Sequence, residues 1–204
     1  MIAIVGYGLG NVEAIANIYK RENIPVVIAT ESAQLRDAQR LILPGVGSFD
    51  WAMTKLEASG MLPELEEQVH VAKKPILGIC VGFQMMARRS DEGKCPGLGW
   101  LNADVRRFDV NQSGKIVRLP HMGWNEARAV RQNYLFAGLD LPMRFYFLHS
   151  YYFVPDNAED CLTETDYSGL YCSSAGKDNV VGVQFHPEKS HHWGVRLLRN
   201  FAIS

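Results

Sequence analysis

The sequence predicts an α/β fold: a central, mostly parallel sheet flanked by helices and extended by added antiparallel strands. Two patterns carry this expectation. Up to Gly97, short apolar runs alternate with amphipathic stretches, as strands joined by covering helices do; beyond it the runs become short, aromatic and β-branched. A third observation locates the working edge of the sheet. The apolar run Pro75-Ile76-Leu77 leads directly into Gly78-Ile79-Cys80-Val81-Gly82 and then Phe83-Gln84-Met85-Met86-Ala87, a strand that turns sharply into a helix.

Residues 2–5 read as the first strand, and residues 11–19 as a helix that turns Val12, Ile15 and Ala16 inward. Asn11 has the side chain of a helix N-cap. Strands at 25–29 and 41–43, a helix around 50–56 and another around 65–71 lead to the elbow strand. After Gly97, strands are expected at 100–105, 116–119, 145–153, 162–165 and 180–185, and an amphipathic helix at 195–201 follows them. No repeat, low-complexity segment or long linker interrupts this order, so residues 1–204 read as one domain. In such sheets the reacting groups gather at the carboxyl ends of the strands.

Composition narrows the class of function. With 204 residues, 47% of them hydrophobic and 10% aromatic, the chain has the material for a sizeable core. A formal net charge of -1 leaves no electrostatic footprint for nucleic acid or an anionic membrane surface. The start Met1-Ile2-Ala3-Ile4-Val5 lacks a basic segment, and no apolar stretch approaches a bilayer span, so a cytoplasmic location is expected. Cys80, Cys95, Cys161 and Cys172 have neither Cys-x-x-Cys nor zinc-finger spacing. No disulfide framework, structural metal or cofactor is indicated.

Cys80 stands at the elbow, where flanking glycines admit a turn that pushes its side chain out of the sheet. Backbone N–H groups left unpaired at the helix start can stabilise a thiolate and a developing oxyanion. The same motif also describes a buried packing cysteine. Far downstream, Val181 to Phe185 alternate as a strand, and Pro187 stops it between His186 and Glu188. At i, i+2 past a strand end, His186 could take the thiol proton and Glu188 could hold the imidazole. An isolated His-Pro-Glu is equally at home on a solvated surface; it is the pairing with the elbow that favours catalysis.

Two further glycine-rich turns remain. Pro44-Gly45-Val46-Gly47-Ser48 follows the 41–43 strand, and backbone N–H groups at Val46 and Gly47 could join that of Val81 as an oxyanion site. An ordinary tight βα turn is the alternative. Gly6-Tyr7-Gly8-Leu9-Gly10-Asn11 fails the dinucleotide spacing because Asn11 occupies the last glycine position. Adjacent His191 and His192 point apart on a helix and make a poor metal pair.

These pieces together resemble the class I (triad) glutamine amidotransferases, and within them the glutaminase subunits of imidazole glycerol phosphate synthases. The resemblance covers nearly the whole chain. It is carried by Tyr7-Gly8-Leu9-Gly10-Asn11, Leu43-Pro44-Gly45-Val46-Gly47-Ser48-Phe49, Gly78-Ile79-Cys80-Val81-Gly82-Phe83-Gln84, Pro120-His121-Met122-Gly123-Trp124-Asn125, His149-Ser150-Tyr151 and Gln184-Phe185-His186-Pro187-Glu188-Lys189-Ser190. The His-Met-Gly-Trp-Asn run and the Pro-Gly-Val-Gly loop are its more specific parts.

The resemblance implies that family's fold, and L-glutamine as substrate. Cys80 would form a glutamyl thioester and release ammonia, His186 would shuttle the proton, and Glu188 would orient it. Gln84 is implied as a ligand of glutamine and Glu92 as the carboxylate for its ammonium, with the backbone of Ser150 and Tyr151 bordering the pocket. Read by themselves, Gln84 is also a plausible helix-surface residue and Glu92 an unremarkable loop carboxylate. The family passes its ammonia to a separate (β/α)8 cyclase subunit, forming a heterodimer that makes imidazole glycerol phosphate and aminoimidazole carboxamide ribotide in histidine biosynthesis. Met122, Trp124, Asn125 and Lys189 match its subunit contact, although a Met-Gly-Trp cluster on a connecting segment also suits a core. Gly6 stands where the family commonly has Asp, and Val81 and Phe83 where Leu and Met are usual. Phe49-Asp50-Trp51-Ala52-Met53 and His191-His192-Trp193-Gly194 resemble a paralogous branch that supplies ammonia to a surface-polysaccharide sugar amidotransferase. A stand-alone γ-glutamyl cysteine hydrolase and a non-catalytic interaction module are the remaining readings. The first would turn over without a partner, and the second would lack the nucleophile system.

Overall fold

In a computed structural model, residues 1–109 and 118–204 are described. The first half follows the alternating pattern: β1 (Ile2–Val5), α1 (Val12–Arg21), β2 (Val26–Ala29), α2 (Ser32–Asp37), β3 (Arg40–Gly45), α3 (Phe49–Ala58), α4 (Leu62–Glu66), β4 (Ile76–Cys80) and α5 (Val81–Met85). A single π-helical turn, Glu67–Val71, continues α4 and completes the helical stretch expected before the elbow. The second half adds β5 (Ala103–Arg107), β6 (His121–Glu126), β7 (Arg128–Ala129), β8 (Arg144–His149), β9 (Tyr151–Pro155), β10 (Cys161–Asp166), β11 (Leu170–Lys177), β12 (Val180–Val183) and α6 (His191–Ile203).

Among the described residues ten strands join in one sheet, whose main path runs β2-β1-β3-β4-β12-β11-β10-β7. The five strands from β2 to β12 are parallel, and β11, β10 and β7 continue antiparallel. β9 pairs with β11 and carries β5 on its other side. β6 and β8 form a separate two-stranded ribbon. That ribbon meets the main sheet where the His186 N–H donates to the Tyr146 carbonyl at 2.9 Å.

The parallel strands β1, β4 and β12 are buried at every residue, as expected of a sheet with both faces covered. Ring stacking ties α5 to β9 and β8 to the segment after β12, Phe83 on Phe153 at 4.1 Å and Phe145 on Phe185 at 3.9 Å between centroids. Register does the rest of the positioning. Gly45 lies opposite Cys80, and Val183 lies opposite Ile79, so the ends of β3, β4 and β12 deliver the glycine loop, the thiol and the His186 segment to one edge.

Several elements differ from the sequence expectations. The 145–153 run breaks at Ser150 into β8 and β9, which belong to different sheets. Segment 121–126 is a strand rather than a connection, and it exposes Met122 to 60% and Trp124 to 38%, which rules out a core role for either. β11 went unanticipated because Cys172-Ser173-Ser174-Ala175 is buried by pairing on both edges and shows no apolar alternation. The strand expected at 100–105 is displaced to 103–107. Of the strand expected at 116–119, residues 116 and 117 lie outside the described residues, and 118–119 are not in a strand.

Tight contact at the elbow gives the fold its first test. A Cβ on Gly82 would fall inside the carbonyl group of Leu43 on the neighbouring strand, with no flexible side chain to yield. Gly82→Ala is expected to destabilise the protein by about 3 kcal/mol, lowering Tm by about 10 °C in thermal unfolding followed by circular dichroism. An unchanged Tm would mean that the β3–β4 approach is looser than described.

Candidate active site

Cys80 ends β4 with φ at 55°, left-handed backbone that a non-glycine residue adopts only when its surroundings enforce it. The turn lifts the sulfur from the plane of the sheet toward the segment that follows β12. There His186 Nδ1 lies 2.9 Å from Glu188 Oε1, and the imidazole is close enough to Cys80 for the two side chains to interact electrostatically. The Glu188 side chain is 1% exposed. Its Oε1 also accepts a hydrogen bond from Asn11 Nδ2 at 2.8 Å, while its Oε2 has no partner. Asn11, expected as a helix cap, therefore sits at the N-cap position of α1 without capping it and holds the carboxylate instead.

Charge balance follows from this geometry. Burial alone would push the His186 imidazolium down, but the charge and hydrogen bond of Cys80, then those of Glu188, outweigh it and raise the group to about 10. Burial likewise opposes ionisation of Glu188, and the bonds from His186 and Asn11 hold its carboxyl below the usual carboxylate range. The three groups form a mutually supporting chain from α1 to the sulfur.

A cleft of about 340 Å³ opens over Cys80. It is lined by the predicted Val46, Gly47, Val81, Glu92, Ser150, Tyr151 and Lys189 together with Cys80 and His186. The 640 Å³ hollow along residues 129–137 is larger but is lined by no cysteine, serine or histidine. The glycine loop is tied down by the Tyr7 hydroxyl, which donates to the Pro44 carbonyl at 2.7 Å, and Gly47 takes φ +88°, a value glycine supplies without strain. Glu92 Oε2 accepts the Phe49 N–H at 2.8 Å, and Asp50 fastens the same loop by accepting the N–H groups of Lys94 and Cys95 at 2.9 and 3.0 Å. Burial raises the Glu92 carboxyl above its usual range. A cation entering beside it would relieve that cost.

Other predicted positions are placed differently. Gln84 is only 2% exposed and lies behind the cleft wall. Its Nε2 donates at 3.0 Å both to the Tyr151 carbonyl and to Gln184 Oε1. Gln184, which sequence reasoning passed over, in turn points its amide Nε2 at the Cys80 sulfur at 3.9 Å. Its i, i+2 relation to His186 on an extended segment was the available signal. Asn125 turns its amide inward, to His121 Nε2 at 3.2 Å and to the Asp166 carbonyl at 3.0 Å. Lys189 also reaches the ring of Tyr146, 5.7 Å from its centroid. His191 stacks on Trp124 at 5.0 Å rather than facing His192's ring partner, Trp193. Among the described residues no three His, Cys, Asp or Glu side chains are grouped to hold a metal ion.

Comparison with known proteins shows the chain's family. The glutamine amidotransferase class-I family matches residues 5–204. The chain is 50% identical over 202 residues to the imidazole glycerol phosphate synthase subunit HisH of Bdellovibrio bacteriovorus, covering 99% of each. It is 45% identical over 202 residues to the protein of that name from Leptospira interrogans, again covering 99% of each. A solved structure described as a glutamine amidotransferase superposes with a TM-score of 0.74 over 98% of this chain and 96% of the other, at 21% identity, a likeness of fold.

The raised His186 makes a prediction for stability. Between the unfolded value of 6.5 and the folded value of about 10, the native state holds a proton that the unfolded chain has released. This contribution is therefore complete below pH 6.5 and is lost as pH rises toward 10. Tm measured from pH 6 to pH 10 is expected to fall more steeply for the wild type than for Cys80→Ala, which lacks the leading cause of the shift. Parallel curves would place the imidazole's stabilisation elsewhere.

Proposed function

The chain belongs to the class-I glutamine amidotransferase family, and we propose that it hydrolyses L-glutamine to glutamate and ammonia for use by a separate synthase subunit. The observation that carries this reading is the His186–Glu188 hydrogen bond, with the same imidazole turned to the sulfur of an elbow cysteine. Cys80 Sγ attacks the side-chain amide carbon while His186 holds the proton that the sulfur has given up. Charge gathers on the amide oxygen, where the Val81 N–H and the Val46–Gly47 loop supply donors; one such donor typically contributes about 3 to 4 kcal/mol to the transition state. His186 then protonates the departing nitrogen, ammonia leaves, and a thioester joins Cys80 to the glutamyl group. Water, deprotonated by His186, adds to the thioester carbon and glutamate departs with Sγ restored.

Glu188 serves by fixing which imidazole nitrogen carries the proton, and Asn11 fixes Glu188. Glu92 takes the substrate ammonium, and the Ser150–Tyr151 backbone lines the amino-acid end. Gln84 acts on the substrate indirectly, through the Tyr151 carbonyl that it holds.

The partner is a (β/α)8 cyclase subunit in a heterodimer, which reacts the ammonia with a phosphoribulosyl-formimino carboxamide ribonucleotide to give imidazole glycerol phosphate and aminoimidazole carboxamide ribotide. Support comes from the names of the relatives and from the exposed Met122 and Trp124 on the ribbon beside the cleft. A second acceptor, a surface-polysaccharide sugar amidotransferase, is favoured by one observation. His191, a residue of the divergent His191-His192-Trp193-Gly194 run, stacks on Trp124, so that face differs where a partner would read it. Operation in the cytoplasm suits both acceptors. Among the described residues no helix is long and apolar enough to cross a membrane.

Glutamate release by the purified chain, alone and with each synthase and its nucleotide substrate, discriminates these readings. Activity is expected to be weak alone and to rise with the correct pair, because closure of a loop by a neighbour completes a site. Full activity in isolation would favour a stand-alone hydrolase. Cys80→Ala is expected to abolish glutamine-dependent synthesis by the complex while ammonia-dependent synthesis persists; loss of both would make Cys80 structural.

A further inference from the structure

Behind the cleft runs a buried polar chain that takes no part in the chemistry. Asn125 Nδ2 lies 3.2 Å from His121 Nε2, and His121 Nδ1 lies 3.2 Å from the Tyr171 hydroxyl. The same hydroxyl is 3.1 Å from His149 Nε2, and His149 Nδ1 is 2.7 Å from the Tyr151 carbonyl oxygen. Burial keeps both imidazoles neutral, pushing His121 down to about 4 and His149 to about 3.

Neutrality fixes the direction of every bond, since a neutral imidazole has one N–H and one bare nitrogen. A carbonyl only accepts, so His149 carries its proton on Nδ1 and presents a bare Nε2. Tyr171 must give its one hydroxyl hydrogen to that nitrogen. Its oxygen then accepts from His121 Nδ1–H, which leaves His121 Nε2 to accept from the Asn125 amide. Donation runs one way, from β6 to the Tyr151 carbonyl, and ends on no base. Such a chain holds a geometry and moves no proton.

Its two ends are the informative part. Tyr151 lines the cleft, and among the described residues its carbonyl is held by two side-chain donors, His149 and Gln84. Asn125 follows Trp124 on β6, the strand that exposes Met122 and Trp124. We propose that Tyr171 is a positioning residue whose hydroxyl, clamped between His121 and His149, sets the Ser150–Tyr151 wall of the glutamine site according to the placement of β6. A subunit docked on Met122 and Trp124 thereby acts on glutamine binding. This rests on the reading of the cleft as a glutaminase site and of that face as the subunit contact.

Tyr171→Phe tests it. The ring, packed edge-on against Phe108 and Phe147, is retained, while His149 Nε2 and His121 Nδ1–H lose their shared partner. With active sites counted by alkylation of Cys80, KM for glutamine in the isolated chain is expected to rise about tenfold and kcat to stay within about twofold, as for a cleft that is competent a tenth of the time. The factor by which a synthase and its substrate raise the rate is expected to fall at least about fivefold. His121→Phe keeps the stack between Phe147 and Tyr167, at 4.8 and 3.8 Å, and is expected to shift both quantities the same way. Unchanged KM and stimulation in both variants would overturn the inference, and so would a fall in kcat at constant KM. If no synthase stimulates the wild type, the partner reading fails, while the KM comparison still judges Tyr171.

Discussion

The Glu188 carboxylate is withdrawn from water yet remains charged, and one of its oxygens serves both His186 and Asn11 while the other has no partner. A buried charge is tolerated only when it is paired and hydrogen-bonded. This carboxylate therefore pins together two segments separated by almost the whole chain, the start of α1 and the end of β12. The arrangement also decides the imidazole's tautomer. With Nδ1 occupied by Glu188, the remaining nitrogen is the one presented to sulfur, and the thiol–imidazole pair inherits its alignment from a contact that touches no substrate.

The second constraint is backbone proximity. β3, β4 and β12 lie in register so that Gly45, Cys80 and the residues after Val183 end together, and the elbow packs directly on the Leu43 carbonyl. Parallel pairing sets where these groups stand, and the left-handed turn at Cys80 sets which way the sulfur faces. A catalytic edge arises because the sheet's own hydrogen bonds stop there, leaving donors that no strand neighbour uses.

Much of this was legible in the residues. Alternation of apolar and amphipathic runs disclosed the parallel half of the sheet, and the strand-to-helix glycines around Cys80, together with the proline-stopped His186–Glu188 pair, disclosed the centre. What escaped reading depended on tertiary pairing. β11 is buried through strand neighbours on both sides, so its serines carry no apolar rhythm. Ser150 ends one sheet and begins another, a switch that an unbroken aromatic run conceals. Asn11 has the side chain of a cap, and only the folded chain reveals that a carboxylate from the far terminus reaches it first. Gln84 was placed by analogy beside the substrate, whereas the inward pull of Gln184 and of the Tyr151 carbonyl draws it behind the wall.

The β6–β8 ribbon has a consequence for how such a protein can change over generations. Its Tyr146 carbonyl receives the backbone N–H of His186, and its Trp124 lies on the outward face. Were that face to recognise another molecule, mutations retuning it would fall on a scaffold that also seats His186, and selection on one trait would be felt by the other. A lineage switching allegiance to a new acceptor would be expected to fix substitutions at the ribbon's rim, in the segment leading into α6, before it altered the paired core.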